Sequence, residues 1–279
     1  MAKPLTPSQQ FALQQKIARK SIREFQPKIK EALQADFNKA AQMVQALGVE
    51  QAANNRAGFF TGDRINNILR TLYESTGGYT AMRYQKMFEK SKKAEEIDLD
   101  PLNILDEWLV YMLAYWVGIS GPKMYGIENT TENEIARILA TVVKIGRQNG
   151  LSQDQVNALA IDALRDGKIN NARSLLIART ESHQALSAGA MGAVSLAGVP
   201  ILKQWIAAEY PAKSGKPRLW HKDLDRQTNP DNKGIRIPVS QPFLVNTPDY
   251  GIIEMQYAHD PAGLAVNNCN CRCCTVYIA

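Results

Sequence analysis

The chain is poor in the residues that staple or anchor a fold. It has four cysteines, Cys269, Cys271, Cys273 and Cys274, and all stand within six residues. Cysteines so crowded cannot join distant parts of a chain. That excludes the spread disulfide framework of small secreted domains and points to a reducing compartment. Long apolar runs are missing as well. The most apolar run, 108–117, lies within 102–119, which carries Asp106 and Glu107 and is too short to span a bilayer, so a buried helix is expected there and no membrane partner. The opening Met1-Ala2-Lys3-Pro4-Leu5-Thr6 lacks the basic-then-apolar pattern of an export signal. Charge is not extreme either. A formal net charge of +6 and a pI near 9.1 permit contact with DNA or an acidic surface without requiring it. No P-loop, G-x-G-x-x-G or H-E-x-x-H occurs, so the signatures of the commonest nucleotide sites and zinc proteases are absent.

What is present suits a packed protein. The 279 residues are 45% hydrophobic, enough for two domains or for one domain with a helical extension. The expected fold class is α+β. A mainly helical region, 1–168, precedes a small α+β domain, 169–279, with an antiparallel sheet.

The helical region reads from its periodicity. Ile17, Ile22, Phe25, Ile29, Leu33, Phe37, Val44 and Leu47 recur near helical spacing, and Pro27 is expected to break or kink that helix. Lys16, Arg19, Lys20 and Arg23 lie in this basic stretch. They form a solvated helix face or a docking arm for an acidic partner or DNA. A short helix is expected over 63–73, a turn at Gly77-Gly78 and a further helix over 79–96 ending in charge. Thr131-Glu132-Asn133-Glu134 and Ser152-Gln153-Asp154-Gln155 both read as capping boxes opening helices, with Gly150 and Gly167 as stops. The segment 171–197 is the longest helical candidate. Its second half is rich in Ala, Gly and Ser, which implies close packing against a neighbour.

Beyond Pro200 the texture is that of short strands. Extended runs are expected at 202–207, 235–238, 243–245, 252–257 and 275–278, with a turn at 210–215 and a polar loop at 218–231. Several chemistries compete for this third of the chain. Cys269, Cys271 and Cys273 alternate, so on a strand they would share a face, and His221 or His259 could complete a metal site in space. The spacing C-x-C-x-C-C is not a standard zinc signature, and reduced buried thiols or a local disulfide are the competing readings. A cysteine with His221 and Asp223 or Asp225 would make a nucleophilic set, but nothing in the sequence brings these together. A glutamate-based transferase on Glu181, Glu209 or Glu254 is equally unsupported. Arg218, His221, Asp223, Asp225 and Arg226 read more simply as mutually satisfying polar groups that pin a loop to the sheet.

At these residues the chain resembles the phage Mu F-like minor head proteins of double-stranded DNA phages. The matching elements come in the family's order. They are Ala178-Arg179-Thr180-Glu181, Trp205, Arg218-x-x-His221 with Leu224-Asp225, Pro242-Phe243, Asp260-Pro261 and Asn270-Cys271-Arg272-Cys273. The resemblance covers about 170–279. Two departures are visible: Glu209 and the turn after it replace an Asp-containing segment, and Cys269 and Cys274 enlarge the cysteine cluster. The resemblance implies a non-enzymatic component of the phage head interior or portal vertex, acting in head morphogenesis and DNA packaging or delivery. It implies the portal protein as partner, with scaffold, major capsid protein and packaged DNA as further contacts. The helical region would then bind portal or scaffold, and its arm, 1–47, would be separable from a C-terminal domain that folds without it. No cofactor is implied, with structural zinc left open. An enzyme or toxin-like module using Arg218, His221 and the cysteines, and a general DNA-binding protein, are the alternatives.

Overall fold

The computed structural model describes residues 5–55, 62–89, 101–208 and 218–279. The charged patch after residue 89, Glu209 and the turn at 210–215 fall outside them. The architecture is α+β, mostly helical with a small C-terminal antiparallel sheet, as expected. No helix among the described residues is long and apolar enough to cross a membrane.

The chain forms two compact units, and these do not follow a single cut at 168. One contains the residues through Arg23, Arg70–Trp116 and Ala178–Ala279; the other contains Glu24–Leu69 and Val117–Ile177. Long helices contribute to both: α1 (Pro7–Leu47), α5 (Pro101–Gln148) and α7 (Lys168–Ser195).

The second unit is a helical core. Phe37, Ala41, Val44 and Val49 pack with Ile135, Leu139, Val142, Val156 and Leu164. These come from α1, α2 (Val49–Asn54), α5 and α6 (Gln153–Arg165). The capping box of α6 is present. Ser152 Oγ accepts the Gln155 N–H at 3.4 Å, and Gln155 Oε1 accepts the Ser152 N–H at 2.9 Å. Gly150 and Gly167 follow α5 and α6 at φ +64° and +67°, the left-handed stops the sequence suggested.

Two expected boundaries are absent. Pro27 lies inside α1, where its exposed position lets water take the carbonyl bond it forfeits. Thr131 does not open a helix, because α5 runs through it. A cap needs a non-helical backbone, and Thr131 is helical, so its hydroxyl donates back to the Ile127 carbonyl at 2.6 Å. Arg173 then binds the same carbonyl at 2.9 Å and Thr131 Oγ1 at 2.8 Å.

In the first unit α7 is the central helix, with every residue from Thr180 to Ala190 buried. A helix buried all round needs small side chains to let neighbours close in. The chain runs from α3 (Asp63–Leu72) into a π-helical turn (Tyr73–Gly77) and α4 (Gly78–Glu89), and the turn and α4 lie against α7. The expected turn at Gly77-Gly78 is therefore a widened stretch of helix. The sheet has β1 (Leu202–Ile206) in the middle, antiparallel to β2 (Ile237–Pro238) and β5 (Cys274–Ile278). Lys203 stands opposite Ile237 on one side and Tyr277 on the other. A separate hairpin pairs β3 (Phe243–Thr247) with β4 (Gly251–Met255), Val245 opposite Ile253.

β5 is an edge strand, and α1 covers its edge. Gln10 Oε1 accepts the Tyr277 N–H at 3.0 Å, Gln10 Nε2 donates to the Tyr277 carbonyl at 2.6 Å, and Gln14 Nε2 donates to the Thr275 carbonyl at 2.7 Å. A separable arm at 1–47 is thus at odds with the structure: its first turns complete the hydrogen bonding of the sheet.

Lys203 is fully buried on β1. Its ammonium donates to the Gln256 carbonyl at 2.7 Å and sits 4.7 Å from the centroid of the Phe243 ring. Burial pushes its pKa down to about 8, with Asp260 opposing. Above that pH the unfolded chain holds this proton and the folded chain has released it, so stability rises with pH until the unfolded lysine also titrates. Relative to Lys203→Met, which keeps the stem and never titrates, the parent chain is expected to gain roughly 2 kcal/mol between about pH 8 and about pH 10.5. Urea unfolding of both proteins across that range checks it. Parallel curves would show that Lys203 titrates normally in the fold.

Candidate functional site

Residues 218–231 were expected as a polar loop. Instead a helix, α8 (Leu219–Thr228), stands there. Its buried residues, His221, Leu224 and Thr228, fall on one side at helical spacing, and Pro230 stops it. Such a short polar helix gains its stability from docking rather than from propensity. Thr228 Oγ1 accepts the Trp205 N–H at 2.9 Å while donating to the Leu224 carbonyl, which locks α8 to β1. The Arg226–Asp223 pair at 2.9 Å lies on the exposed side, and Arg218 donates to the Cys269 carbonyl at 2.8 Å. Of the polar groups expected to satisfy one another, Arg226 and Asp223 pair, on the exposed side; the bond to the sheet comes from Thr228.

The other wall is the chain before β5. His259 has left-handed φ, +70°. Asp260 then organises the turn. Oδ2 accepts the Gln256 N–H at 2.7 Å, Oδ1 accepts the Ala262 N–H at 3.0 Å, and its carbonyl accepts from Asn268 Nδ2 at 2.6 Å. A 3₁₀ turn (Pro261–Gly263) and α9 (Leu264–Asn268) follow. Asn270 is also left-handed, φ +57°. It is held by α7: Thr180 Oγ1 accepts its N–H at 3.1 Å, and Arg179 donates to its Oδ1. Glu181 of the same helix turn accepts from Tyr73 Oη at 2.7 Å.

These two walls bring His221, Cys271 and Cys273 together, all buried, with their donor atoms within 4.8 Å of one another. His221 Nδ1 is 3.5 Å from each sulfur. The ring also meets Trp205 edge-on, centroids 5.1 Å apart. Its Nε2 lies 3.2 Å from Asn267 Oδ1, so its polar partner is an amide and not Asp223 or Asp225. Asp225 bonds Asn229 and Asp223 bonds Arg226.

Of the four residues weighed for metal, Cys269 is not in this group and is exposed. The alternation argument does not apply to it, because β5 starts only at Cys274 and the left-handed Asn270 interrupts any extended run. Cys274 is buried on the far side, near Gln15, and burial pushes its thiol up to about 12. Two histidines extend the cluster. The His183 and His259 rings stack with centroids 5.1 Å apart, and burial pushes His183 down to about 3, so it stays neutral. The scarcity of histidine was the one sequence signal pointing to His183, since all three converge here.

The thiols are not equivalent. Burial alone would raise Cys271, yet hydrogen bonding from Cys273 and the neighbouring His259 and His221 hold it well below the usual thiol range. Cys273 is pushed well above by sharing its hydrogen with Cys271 and by burial. The two buried sulfurs thus stand in unlike surroundings, which favour proton loss at Cys271 and proton retention at Cys273.

Lys16, Arg19, Lys20 and Arg23 are all exposed and fall on one face of α1, opposite the buried Gln10, Gln14, Ile17 and Ser21. Comparison with family models, curated proteins and solved structures found no match.

Proposed function

We propose that this chain is a minor head protein of a double-stranded DNA phage or prophage, a non-catalytic component that associates with the portal and acts in head morphogenesis and DNA packaging. The observation that carries this reading is the ordered set of Mu F-like residues, whose members meet in space. Arg179 and Thr180 hold Asn270, and Trp205 packs on His221. A set of motifs that serves to close one small structure is what a shared architecture leaves in a sequence. The partner surface is the exposed basic stripe Lys16, Arg19, Lys20 and Arg23, suited to acidic protein or phosphate.

The test is co-purification of the tagged full-length chain with the portal protein encoded beside it. Co-elution at low salt is expected. Reversing all four stripe residues to Glu is expected to weaken it at least about tenfold while leaving the fold intact, since all four side chains are exposed. A chain that ignores the portal yet binds arbitrary duplex DNA with steep salt dependence would replace this reading with general DNA binding.

A further inference from the structure

We propose that His221 Nδ1, Cys271 Sγ and Cys273 Sγ, which already converge, form a site for a soft divalent cation of the zinc type, and that the His259 imidazole, outside that group of three, moves in to complete a tetrahedron. The inference stands apart from the assembly role and rests on the geometry of the site.

Distance comes first. In a zinc tetrahedron with ordinary Zn–S and Zn–N bond lengths, a sulfur and a nitrogen stand about 3.6 Å apart. His221 Nδ1 is 3.5 Å from both sulfurs. A hydrogen-bonded site has no reason to place two thiols equally. An imidazole nitrogen has one lone pair in its plane, so it accepts well from one S–H only. A cation shared by three ligands makes the two distances alike.

The tautomers agree. Trp220 Nε1 can only donate, and it reaches Asn267 Oδ1 at 2.8 Å, which fixes that atom as the amide oxygen. His221 Nε2, 3.2 Å from the same oxygen, must then carry its hydrogen. Its Nδ1 is left as a bare lone pair facing the sulfurs. A ligating histidine needs this arrangement, with the second nitrogen tied to an acceptor behind it. The same reasoning covers His259. Its Nε2 lies 3.2 Å from the Cys273 carbonyl, an acceptor only, so Nε2 carries the hydrogen and Nδ1 is bare. That Nδ1 is buried without a hydrogen-bond partner. A lone pair so placed costs free energy unless something fills it.

The backbone contributes as well. The Cys273 N–H donates to Cys271 Sγ at 3.4 Å, a contact that favours anionic sulfur. His259 stands beside the cluster, its ring stacked on that of His183. It is held in left-handed backbone at φ +70°, uncommon for a residue other than glycine. Two thiolates and two imidazoles select zinc over magnesium or calcium, and four protein ligands with no exposed face make a structural site. Such an ion would clamp α8 to the segment entering β5. The two cysteines lose their protons to solvent on binding.

The experiment uses the full chain, expressed with zinc in the medium and purified without a metal-affinity tag. Elemental analysis is expected to find about one zinc per chain. Exchange for cobalt is expected to give thiolate-to-metal charge-transfer bands and the intense visible bands of a tetrahedral ion. Cys271→Ser, Cys273→Ser and His221→Gln are each expected to lower metal affinity by well over about tenfold, and His259→Gln by about tenfold or more. Cys269→Ser keeps the full content. A cysteine variant can lose its fold along with its ion, so the cobalt spectrum of the unmodified chain decides independently. Zinc below about a tenth of an ion per chain, with no charge-transfer band on cobalt titration, overturns the site. Undiminished affinity in His259→Gln overturns the four-ligand assignment.

Discussion

Replacing Gly189 by alanine is expected to cost about 3 kcal/mol, although the same change in an open helix is favourable. Gly189 sits in the fully buried stretch of α7. A Cβ there would overlap the carbonyl group of Gly77, which is backbone and cannot rotate away. Gly77 is no freer on its own side. It closes the π-helical turn, and a Cβ on it would meet Met112 and the Ala185 carbonyl, so the two backbones already touch. Forcing them apart would loosen Tyr73, Met112 and Ala185, all fully buried. Gly118 provides the control. Nothing stands within 4 Å of its Cβ position and it is exposed on α5. Gly118→Ala is expected to stabilise by up to about 1 kcal/mol through helix propensity. Urea midpoints of the two variants should therefore move in opposite directions. A raised midpoint for Gly189→Ala would mean that the helices are not in backbone contact.

The second large effect is expected at Gln10 and Gln14. One helical turn of four residues advances about 6 Å, and two strand residues advance about 6.8 Å. Glutamines at i and i+4 can therefore meet alternate residues of a strand, here Tyr277 and Thr275, and stand in for a missing neighbour. The arrangement also blocks an edge that would otherwise template aggregation. The double variant Gln10→Leu/Gln14→Leu keeps the bulk and strips the bonds. It leaves the Tyr277 N–H and carbonyl and the Thr275 carbonyl buried without partners, and Tyr84 Oη loses Gln14 Nε2 at 2.5 Å. At 1–3 kcal/mol for each orphaned group, a loss of about 4 kcal/mol is expected, with faster amide exchange at Tyr277. Should a chain lacking residues 1–23 keep native exchange protection along β5, α1 would be a detachable arm after all.

Local signals carried far in this protein. The α6 capping box, the glycine stops at 150 and 167, the strand positions and the close-packed helix of small residues all follow from φ/ψ preference, from side chains a few residues apart, or from apolar period. Where the fold departs from its local sequence pattern, tertiary packing outvotes the local cue. Pro27 and Thr131 are boundary residues by chemistry, yet α1 continues between buried Phe25 and Ile29, and in α5 the buried Thr131 returns its hydroxyl to the Ile127 carbonyl and leads into buried Ile135 and Leu139. The segment over α8 is polar enough for a loop and is helical because His221, Leu224 and Thr228 gain burial together.

By itself the sequence determined an α+β chain with its cysteines and histidines confined to one third. The tertiary structure alone decided which of them meet. Cys269 and Cys271 are two residues apart, yet one is exposed and the other is buried against a histidine fifty residues upstream. Spacing constrains neighbours on a regular element, and left-handed Asn270 and His259 break that regularity. Partners so distant in sequence are chosen by which helices and strands pack, because the burial of α8 against β1 is what carries His221 to the sulfurs.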